Sequence, residues 1–368
     1  MRIGVPKETA PRERRVALLP DAAAKLVKAG IEVAVEHGAG RTASVADGAY
    51  GEAGAMLVES ASAACAGAGT VVKVQPPSID EITLLETGAV LVSLLPLIDG
   101  NAVLQALAAR RVTALALERV PRITRAQSMD VLSSQATVAG TKAVLLGASA
   151  LPRLLAMMIT AAGNIPPGKA FVIGAGVAGL QAVATARRLG AVVSAFDVRA
   201  AAREQVQSLG ATFVAAELAS DAAQDRGGYA KPQSETERER TLEVLDTHLK
   251  DMDLVIATAA VPGKRAPVLI TDAMVSHMKP GAVIVDVAAE TGGNCELTKP
   301  GETVEAHGVT ILGPLNLPST AAVHASQMFS RNVSTLLQHL VKDGEVRIDL
   351  GDEITAAMAV THAGELRI

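Results

Sequence analysis

The sequence predicts an α/β protein built from doubly wound parallel sheets, and three observations lead to that class. Short apolar runs alternate with helical patterns from the first residues onward, as parallel strands joined by crossover helices require. The length of 368 residues exceeds one ordinary domain and favours two. Hydrophobic residues make up 49% of the chain but aromatic residues only 2%, so small aliphatic side chains must fill the cores, which suits closely packed α/β layers.

The N-terminal elements follow from this alternation. The predicted elements are strands at 3–5, 33–35, 71–74, 89–95 and 112–116 and a helix at 22–28. Together they predict a fold of the dinucleotide-binding type without a glycine fingerprint. We therefore expect this region of the chain to form one wall of a cleft.

A glycine-rich turn marks the second half of the chain. Gly174, Gly176 and Gly179 form a G-x-G-x-x-G pattern between the apolar run 171–173 and a helical stretch, and Asp197 ends the next apolar run. The first glycine permits a tight turn, the second lets backbone approach a pyrophosphate, and the third brings the helix close to the sheet. A strand before, a helix after and an acid about 20 residues on predict a Rossmann-like dinucleotide-binding domain.

Cofactor preference depends on two neighbouring side chains. The Asp197 carboxylate would accept hydrogen bonds from the adenosine ribose hydroxyls and repel a 2′-phosphate, which predicts NAD(H) over NADP(H). Arg199 is the counter-argument, because an arginine there could pair with a 2′-phosphate or simply face solvent.

The rest of the chain predicts a discontinuous first domain. Further strands are expected at 254–256, 283–286 and near Ile311, followed after Pro318 by a helix whose apolar residues have helical spacing. If this helix returns to the first domain, the fold is two Rossmann-like doubly wound parallel-sheet domains with a cleft between them. The predicted bounds are 1–132 plus 323–368 for the N-terminal domain and 133–322 for the dinucleotide-binding domain.

One polar segment, 221–240, interrupts the pattern of the second domain. It contains the Gly227-Gly228 pair followed by Tyr229, and a long polar loop inside a compact domain is either a lid or a solvated surface excursion. An aromatic residue beside glycines favours a mobile lid.

Composition excludes several classes of function. The net charge of −4 and the lack of a basic run argue against nucleic-acid binding. Cys65 and Cys295 lie far apart and outside any metal-ligand spacing, so no metal site and a reducing compartment are expected. The N-terminus lacks the apolar core of a signal peptide, and the uncharged stretch 154–168 is too short to span a bilayer, so we expect a soluble chain without a membrane span.

Three segments resemble one family. Residues 121–134, PRITRAQSMDVLSS, are similar to the signature of the NAD(H)-binding component of proton-translocating transhydrogenase. Residues 227–231, GGYAK, resemble the mobile loop of that component, and 197–206 its adenosine side. The resemblance covers essentially the whole chain, but other shared motifs, at 4–8, 15–17, 261–263 and 286–293, also resemble alanine dehydrogenase.

The resemblance implies direct hydride transfer between NADH on this chain and NADP⁺ on a partner subunit, coupled to proton translocation by membrane subunits. It implies four catalytic residues, Arg122, Gln127, Asp130 and Ser133. Arg122 and Asp130 would hold one another and the carboxamide or ribose, Gln127 would reach towards NADP(H), and Ser133 would bond the carboxamide. The alternative for this group is an N-capping and ion-pair cluster at a helix start.

The implied cofactor-binding set joins those four residues to others along the chain. The further members are Ile123, Thr124, Val131, Leu132, Gly174, Ala175, Gly176, Val177, Gly179, Asp197, Val198, Arg199, Gly228, Tyr229 and Ala260. The resemblance also implies a homodimer with NADP(H)-binding and membrane-spanning partner subunits. Such a chain would be cytoplasmic and peripheral on the cytoplasmic face of the inner membrane.

Two other functions compete with this interpretation. Alanine dehydrogenases carry a histidine acid/base and a substrate-holding lysine and arginine; Arg15 and Lys73 match the latter two, but Leu95 stands at the histidine position. Hydride exchange between nucleotides needs no such proton donor, so we expect Arg15 and Lys73 to be structural ion-pair or backbone-binding residues. The second competitor is a non-catalytic NAD-binding sensor that reports redox state to a partner.

Overall fold

The structure is a computed structural model, and it describes residues 1–98, 100–215, 218–220, 223, 230–231, 234–260, 263–342 and 344–367. The chain divides into two compact units. The first unit comprises Met1–Gln135 and Pro318–Ile368, and the second unit comprises Ala136–Leu317. The bounds predicted from the sequence, 132 and 323, lie a few residues from these divisions.

The strands are β1 (Arg2–Val5), β2 (Glu32–Glu36), β3 (Met56–Val58), β4 (Thr70–Val72), β5 (Val90–Ser93), β6 (Thr113–Ala116), β7 (Met158–Thr160), β8 (Gly163–Ile165), β9 (Lys169–Ile173), β10 (Val192–Phe196), β11 (Thr212–Phe213), β12 (Leu254–Ala257), β13 (Val283–Asp286), β14 (Thr303–Ala306), β15 (Val309–Leu312), β16 (Val341–Lys342), β17 (Glu345–Val346), β18 (Ala359–His362) and β19 (Glu365–Leu366).

The α-helices are α1 (Pro20–Lys28), α2 (Asp47–Glu52), α3 (Ala61–Cys65), α4 (Ile79–Leu84), α5 (Ala102–Ala109), α6 (Val131–Ala150), α7 (Val177–Arg188), α8 (Ala201–Ser208), α9 (Glu235–Leu249), α10 (Asp272–Ser276), α11 (Ala322–Leu340) and α12 (Glu353–Met358). Short 3₁₀ helices cover Arg41–Ala43, Leu117–Arg119, Thr124–Met129, Ala289–Thr291 and Leu317–Ala321.

The first unit is built on a sheet with the strand order β3-β2-β1-β4-β5-β6, followed by β18 and β19. The six strands from β3 to β6 are parallel, and β18 pairs antiparallel with β6. This is the doubly wound order 3-2-1-4-5-6, which reverses direction between β1 and β4. The strands predicted in the N-terminal region are confirmed, whereas β3, β18 and β19 lacked an apolar run long enough to be recognised.

The second unit repeats the same order in the strands β11-β10-β9-β12-β13-β15, with β14 antiparallel at the edge. The predicted strands at 171–173, 254–256, 283–286 and near Ile311 are confirmed. The winding reverses between β9 and β12, which pair in parallel register from Leu254 to Ala257. In open α/β sheets, ligands bind beyond the carboxyl ends of the strands at such a switch point.

Helix α11 returns to the first unit as the sequence predicted. It buries Phe329, Val333, Leu336 and Leu337 in the same core cluster as β1 and β2. Met328, which the spacing also placed on the apolar face, is only partly buried. The adjacent Phe329 takes the inward position instead, because the apolar stripe of α11 is shifted by one residue at its start.

The polar segment 221–240 ends earlier than predicted. Its last residues form the start of α9, where Ser234 and Glu237 make a reciprocal capping box. The sequence signal was the Ser-x-x-Glu spacing, which was overlooked within the charged run. Gly228 and Tyr229 lie outside the described residues. Among the described residues, no helix combines the length and the apolar character that a membrane crossing needs.

Candidate dinucleotide site

The turn after β9 has the geometry that the glycine pattern predicted. Gly174 has φ +90°, in the left-handed region that favours glycine. A β-carbon at Gly179 would overlap the carbonyl oxygen of Gly174, so the close packing of α7 on the strand is confirmed. A β-carbon at Gly176 would meet no atom within 4 Å. Gly176 is the N-cap residue of α7 and faces open space at a helix N-terminus, which favours a pyrophosphate.

The loop after β12 forms the other side of this turn. The Thr258 hydroxyl donates to the Gly174 carbonyl at 2.7 Å, and a β-carbon at Gly174 would lie 3.0 Å from the Ala259 amide nitrogen. The two strands at the switch point are therefore tied together at their carboxyl ends. The sequence did not single out Thr258, since nothing local distinguishes it from a structural strand-end threonine.

Asp197 lies beside the glycine turn but is already engaged. Its Oδ2 accepts from the Ala175 backbone N–H at 2.8 Å and from Arg199 Nη2 at 2.7 Å. Its Oδ1 accepts from the Arg199 backbone N–H and Nε, both at 2.9 Å. Arg199 thus pairs with Asp197 rather than facing solvent. Because a carboxylate has about four acceptor positions, ribose hydroxyls would have to replace some of the Arg199 contacts.

A second carboxylate and an amide organise the loops after β12 and β13. Asp286 is buried and accepts from the backbone N–H groups of Ala288, Asn294 and Cys295 and from the Thr298 hydroxyl at 2.7–3.1 Å. Burial raises the pKa of Asp286, and these hydrogen bonds oppose the rise.

The Asn294 side chain in turn holds the loop after β12, next to Ala260. Its Oδ1 accepts from Ala259 N–H at 2.9 Å, and its Nδ2 donates to the carbonyls of Ala259 and Pro267, each at 2.8 Å. Ala260 itself is exposed. Sequence analysis missed Asn294, and the only local signal was a polar residue following the two glycines 292 and 293.

The predicted nicotinamide-end residues belong to the first unit. They lie on the 3₁₀ helix Thr124–Met129 and the start of α6, where Arg122, Thr124 and Gln127 are exposed and Val131 is buried. The sequence predicted an ordinary helix start here. The extra 3₁₀ turn forms because Ala126 and Met129 bury themselves in the core of the first unit.

Asp130 and Ser133 form a helix cap at the start of α6. Asp130 Oδ1 accepts from Ser133 N–H at 2.9 Å, and Oδ2 accepts from the Ser133 hydroxyl at 2.6 Å. The capping alternative considered for this group is therefore present for these two residues. The exposed turn bearing Gln127 is also attached to α11, because Asn332 Nδ2 donates to the Ser128 carbonyl at 2.7 Å.

Arg15 is buried in an ion pair, as expected. Its Nε and Nη2 donate to the two carboxylate oxygens of Glu13 at 2.8 and 2.7 Å, and Nη1 donates to Gln135 Oε1 at 2.9 Å. Burial alone would raise the pKa of Glu13, but the hydrogen bonds and charge of Arg15 prevail and lower it to about 2.

Lys73 is likewise buried between carboxylates. Its Nζ lies 2.9 Å from Glu81 Oε1 and 3.6 Å from Glu8 Oε2. Burial raises the pKa of Glu8, and the charge of Lys73 offsets this rise incompletely. The prediction that Arg15 and Lys73 are structural ion-pair residues is confirmed by these contacts.

Leu95 is 3% exposed, and its backbone N–H donates to the carboxylate of Glu118 at 2.9 and 3.1 Å. Burial raises the pKa of Glu118 to about 7. Sequence reasoning did not single out Glu118, because its partner lies on a different strand end. An apolar side chain at position 95 supplies no proton donor or acceptor.

A parallel sheet with a glycine turn, an open helix N-terminus and an acid at its switch point defines a dinucleotide-binding α/β protein. The family models described as "Alanine dehydrogenase/PNT, N-terminal domain" and "C-terminal domain" match residues 4–139 and 143–368. An NAD(P) transhydrogenase alpha subunit of Rhodospirillum rubrum is 48% identical over 100% of this chain and 97% of its own length. The chain belongs to the NAD(P) transhydrogenase alpha-subunit family.

Alanine dehydrogenases are more distant relatives. The enzyme of Mycobacterium tuberculosis is 30% identical over 100% of this chain and 94% of its own length. The crystal structure of transhydrogenase from Sinorhizobium meliloti aligns with a TM-score of 0.90 at 42% identity, covering 100% of both chains. The resemblance predicted from residues 121–134 is confirmed at the level of the family.

Proposed function

We propose that the chain binds NAD(H) and exchanges hydride with NADP(H) held by a partner subunit. The observation that carries the proposal is the open space at Gly176, at the N-terminus of α7 and at the switch point of a Rossmann-like sheet. The membership of the chain in the transhydrogenase alpha-subunit family supports the nature of the second nucleotide.

We assign the cofactor-binding roles as follows. Gly174, Ala175, Gly176, Val177 and Gly179 take the pyrophosphate, with Asp197, Val198 and Arg199 at the adenosine and Ala260 beside the bound nucleotide. The segment of Arg122, Ile123, Thr124, Gln127, Asp130, Val131, Leu132 and Ser133 serves the nicotinamide end. Gly228 and Tyr229, outside the described residues, close over the nucleotide.

The paired charges of the first unit favour nucleotide exchange over amino-acid oxidation. Bound NADH supplies a hydride directly to NADP⁺, so the protein need not accept or donate a proton. Arg15 and Lys73 already satisfy their charges with Glu13 and Glu81, and Leu95 provides no imidazole. The remaining task of the protein is to align the two rings and exclude water, which is a matter of proximity and orientation.

We further propose that the chain works with NADP(H)-binding and membrane-spanning subunits that couple the exchange to proton translocation. This places it in the cytoplasm, peripheral on the cytoplasmic face of the inner membrane. A homodimer is supported by the hairpin β7–β8 and the residue before it, where Met157 (60%), Ile159 (73%) and Ile165 (46%) are exposed. A two-stranded hairpin with exposed apolar residues is marginal in water unless another surface covers it.

The test mixes the purified chain with a separately purified NADP(H)-binding partner domain and follows hydride exchange between NADH and an NADP⁺ analogue. Wild-type protein should support exchange, and Gln127→Asn should slow it at least tenfold while the Kd for NADH stays within twofold. Binding without exchange would indicate a sensor. Formation of NADH from NAD⁺ and L-alanine, abolished by Arg15→Ala, would indicate an alanine dehydrogenase.

A further inference from the structure

The loop that follows β12 is held by a single buried amide. Asn294 is fully buried, and its side chain bonds only to backbone groups, accepting from Ala259 N–H and donating to the carbonyls of Ala259 and Pro267. The orientation of the amide is determined by these partners, because a flipped side chain would face donor to donor and acceptor to acceptor.

Asn294 is itself anchored to the neighbouring strand end. Its backbone N–H donates to Asp286 Oδ2 at 2.7 Å, and Asp286 is the last residue of β13. The amide therefore transmits the position of β13 to the loop after β12. No side chain of that loop contributes to the connection, since both contacted residues offer only their backbone.

The clamped peptide borders the glycine turn. Ala259 is the residue whose amide nitrogen would lie 3.0 Å from a β-carbon at Gly174, and Ala260 is exposed directly after it. A dinucleotide lies across the switch point of such a sheet, with one half on each side. Asp197, after β10, marks the adenosine side, so the loop after β12 lies on the side of the nicotinamide half.

We propose that Asn294 is a positioning residue for the nicotinamide half of the bound dinucleotide. The inference rests on the proposed NAD(H) binding and concerns a residue that does not itself touch the nucleotide. Asn294 acts through the Ala259 peptide, whose place decides the space available beside Gly174. A loop released from this clamp leaves the adenosine contacts intact and loses the fit of the other half.

The test compares NADH with AMP, which carries the adenosine half alone. Asn294→Asp keeps the acceptor for Ala259 N–H but removes both donors and sets an anion against two carbonyls; Asn294→Ser removes the clamp with a smaller change. In both variants, calorimetry should give a Kd for NADH raised at least tenfold and a Kd for AMP within twofold of wild type.

The matched control is Asp253→Asn, at the other end of β12. Asp253 Oδ2 accepts from Lys169 N–H at 2.8 Å, so the substitution weakens the same sheet far from its carboxyl edge. We expect a lower Tm in this variant with unchanged Kd values for both ligands. Parallel losses of NADH and AMP affinity in the Asn294 variants, or no loss at all, would overturn the inference.

A measurement on the unaltered protein covers the case in which the variants fail to fold. NADH should slow amide hydrogen exchange in the segment 258–260, and AMP should not. Equal effects of both ligands, or none, would overturn the role of Asn294 while the proposed function stands. Wild-type protein that binds AMP but not NADH would overturn both the proposed function and this inference.

Discussion

The two units share one strand order but fill their switch points in opposite ways. In the second unit the place between β9 and β12 is lined by a glycine turn, and Gly176 faces open space. In the first unit the equivalent place, between β1 and β4, is crossed by Glu8, whose carboxylate accepts from Val74 N–H at 2.6 Å and lies near Lys73. The same topology therefore yields an open glycine turn in one unit and a buried ionic network in the other.

One feature of the nucleotide-binding pattern survives in both units. Asp197 accepts from Ala175 N–H, two residues beyond β9, and Glu36 accepts from Lys7 N–H, two residues beyond β1, each at 2.8 Å. Glu36 does so in a unit without a glycine turn. An acid at the end of the second strand thus stabilises the loop after the first strand by itself, and the glycines distinguish a binding site from a structural copy.

The largest expected effect breaks the network of the first unit. Lys73→Met removes the cation between Glu8 and Glu81 and leaves two buried carboxylates uncompensated, so the free energy of unfolding should fall by about 3–5 kcal/mol. Urea unfolding measures the loss, and the Kd for NADH of the folded protein should not change. Lys25→Met, at an exposed position on α1, is the control and should leave stability unaltered. A folded Lys73→Met variant of wild-type stability would contradict the structural role.

The second effect concerns the Glu118 carboxylate, also in the first unit. Its pKa is raised to about 7 in the folded chain by burial, against an ordinary value near 4.5. Between these values the folded state holds a proton that the unfolded state has lost. Its contribution to stability is therefore complete below about pH 4.5 and is lost as the pH rises through 7, by at most about 3 kcal/mol.

Glu118→Gln keeps an acceptor for Leu95 N–H and removes the titration. Urea unfolding at pH 5, 6, 7 and 8 should show the variant gaining stability relative to wild type as the pH rises. A constant difference across this range would mean that Glu118 does not titrate there.

The third effect separates the roles of two glycines in the second unit. Gly179→Ala should lower the Tm of the chain, because the new β-carbon overlaps the Gly174 carbonyl. Gly176→Ala should leave the Tm within about 1 °C, because nothing lies within 4 Å, yet raise the Kd for NADH roughly 10- to 100-fold by occupying the space needed for a pyrophosphate. Calorimetry and thermal unfolding measure both. Unaltered NADH affinity in Gly176→Ala would remove the pyrophosphate from this turn.

The smallest effect compares the two acids at the strand ends. Asp197→Asn should reduce the preference for NADH over NADPH several-fold, since the carboxylate no longer repels a 2′-phosphate. Glu36→Gln should cost about 1 kcal/mol of stability by weakening the bond to Lys7 N–H, with no change in nucleotide preference. Nucleotide titrations decide between them, and an equal change of preference in both variants would refute the division between the two units.

Local pattern made much of this architecture predictable. Apolar runs identified β1, β9 and β13, and helical spacing indicated that α11 returns to the first unit. Short elements such as β3 and the 3₁₀ turn carrying Gln127 escaped, because packing against distant residues decides them. The charged start of α9 was taken for loop, although its capping box was present in the sequence.

The sequence by itself determined the glycine turn, its acid and the doubly wound class, because steric freedom and side-chain periodicity are properties of neighbouring residues. Only the tertiary structure decided which carboxylates hold Arg15 and Lys73, that Arg199 pairs with Asp197, and that Asn294 clamps a loop 35 residues away. Hydrogen-bond and ion-pair partners are chosen where separate strands end side by side. Periodicity along one strand carries no record of what the next strand places beside it.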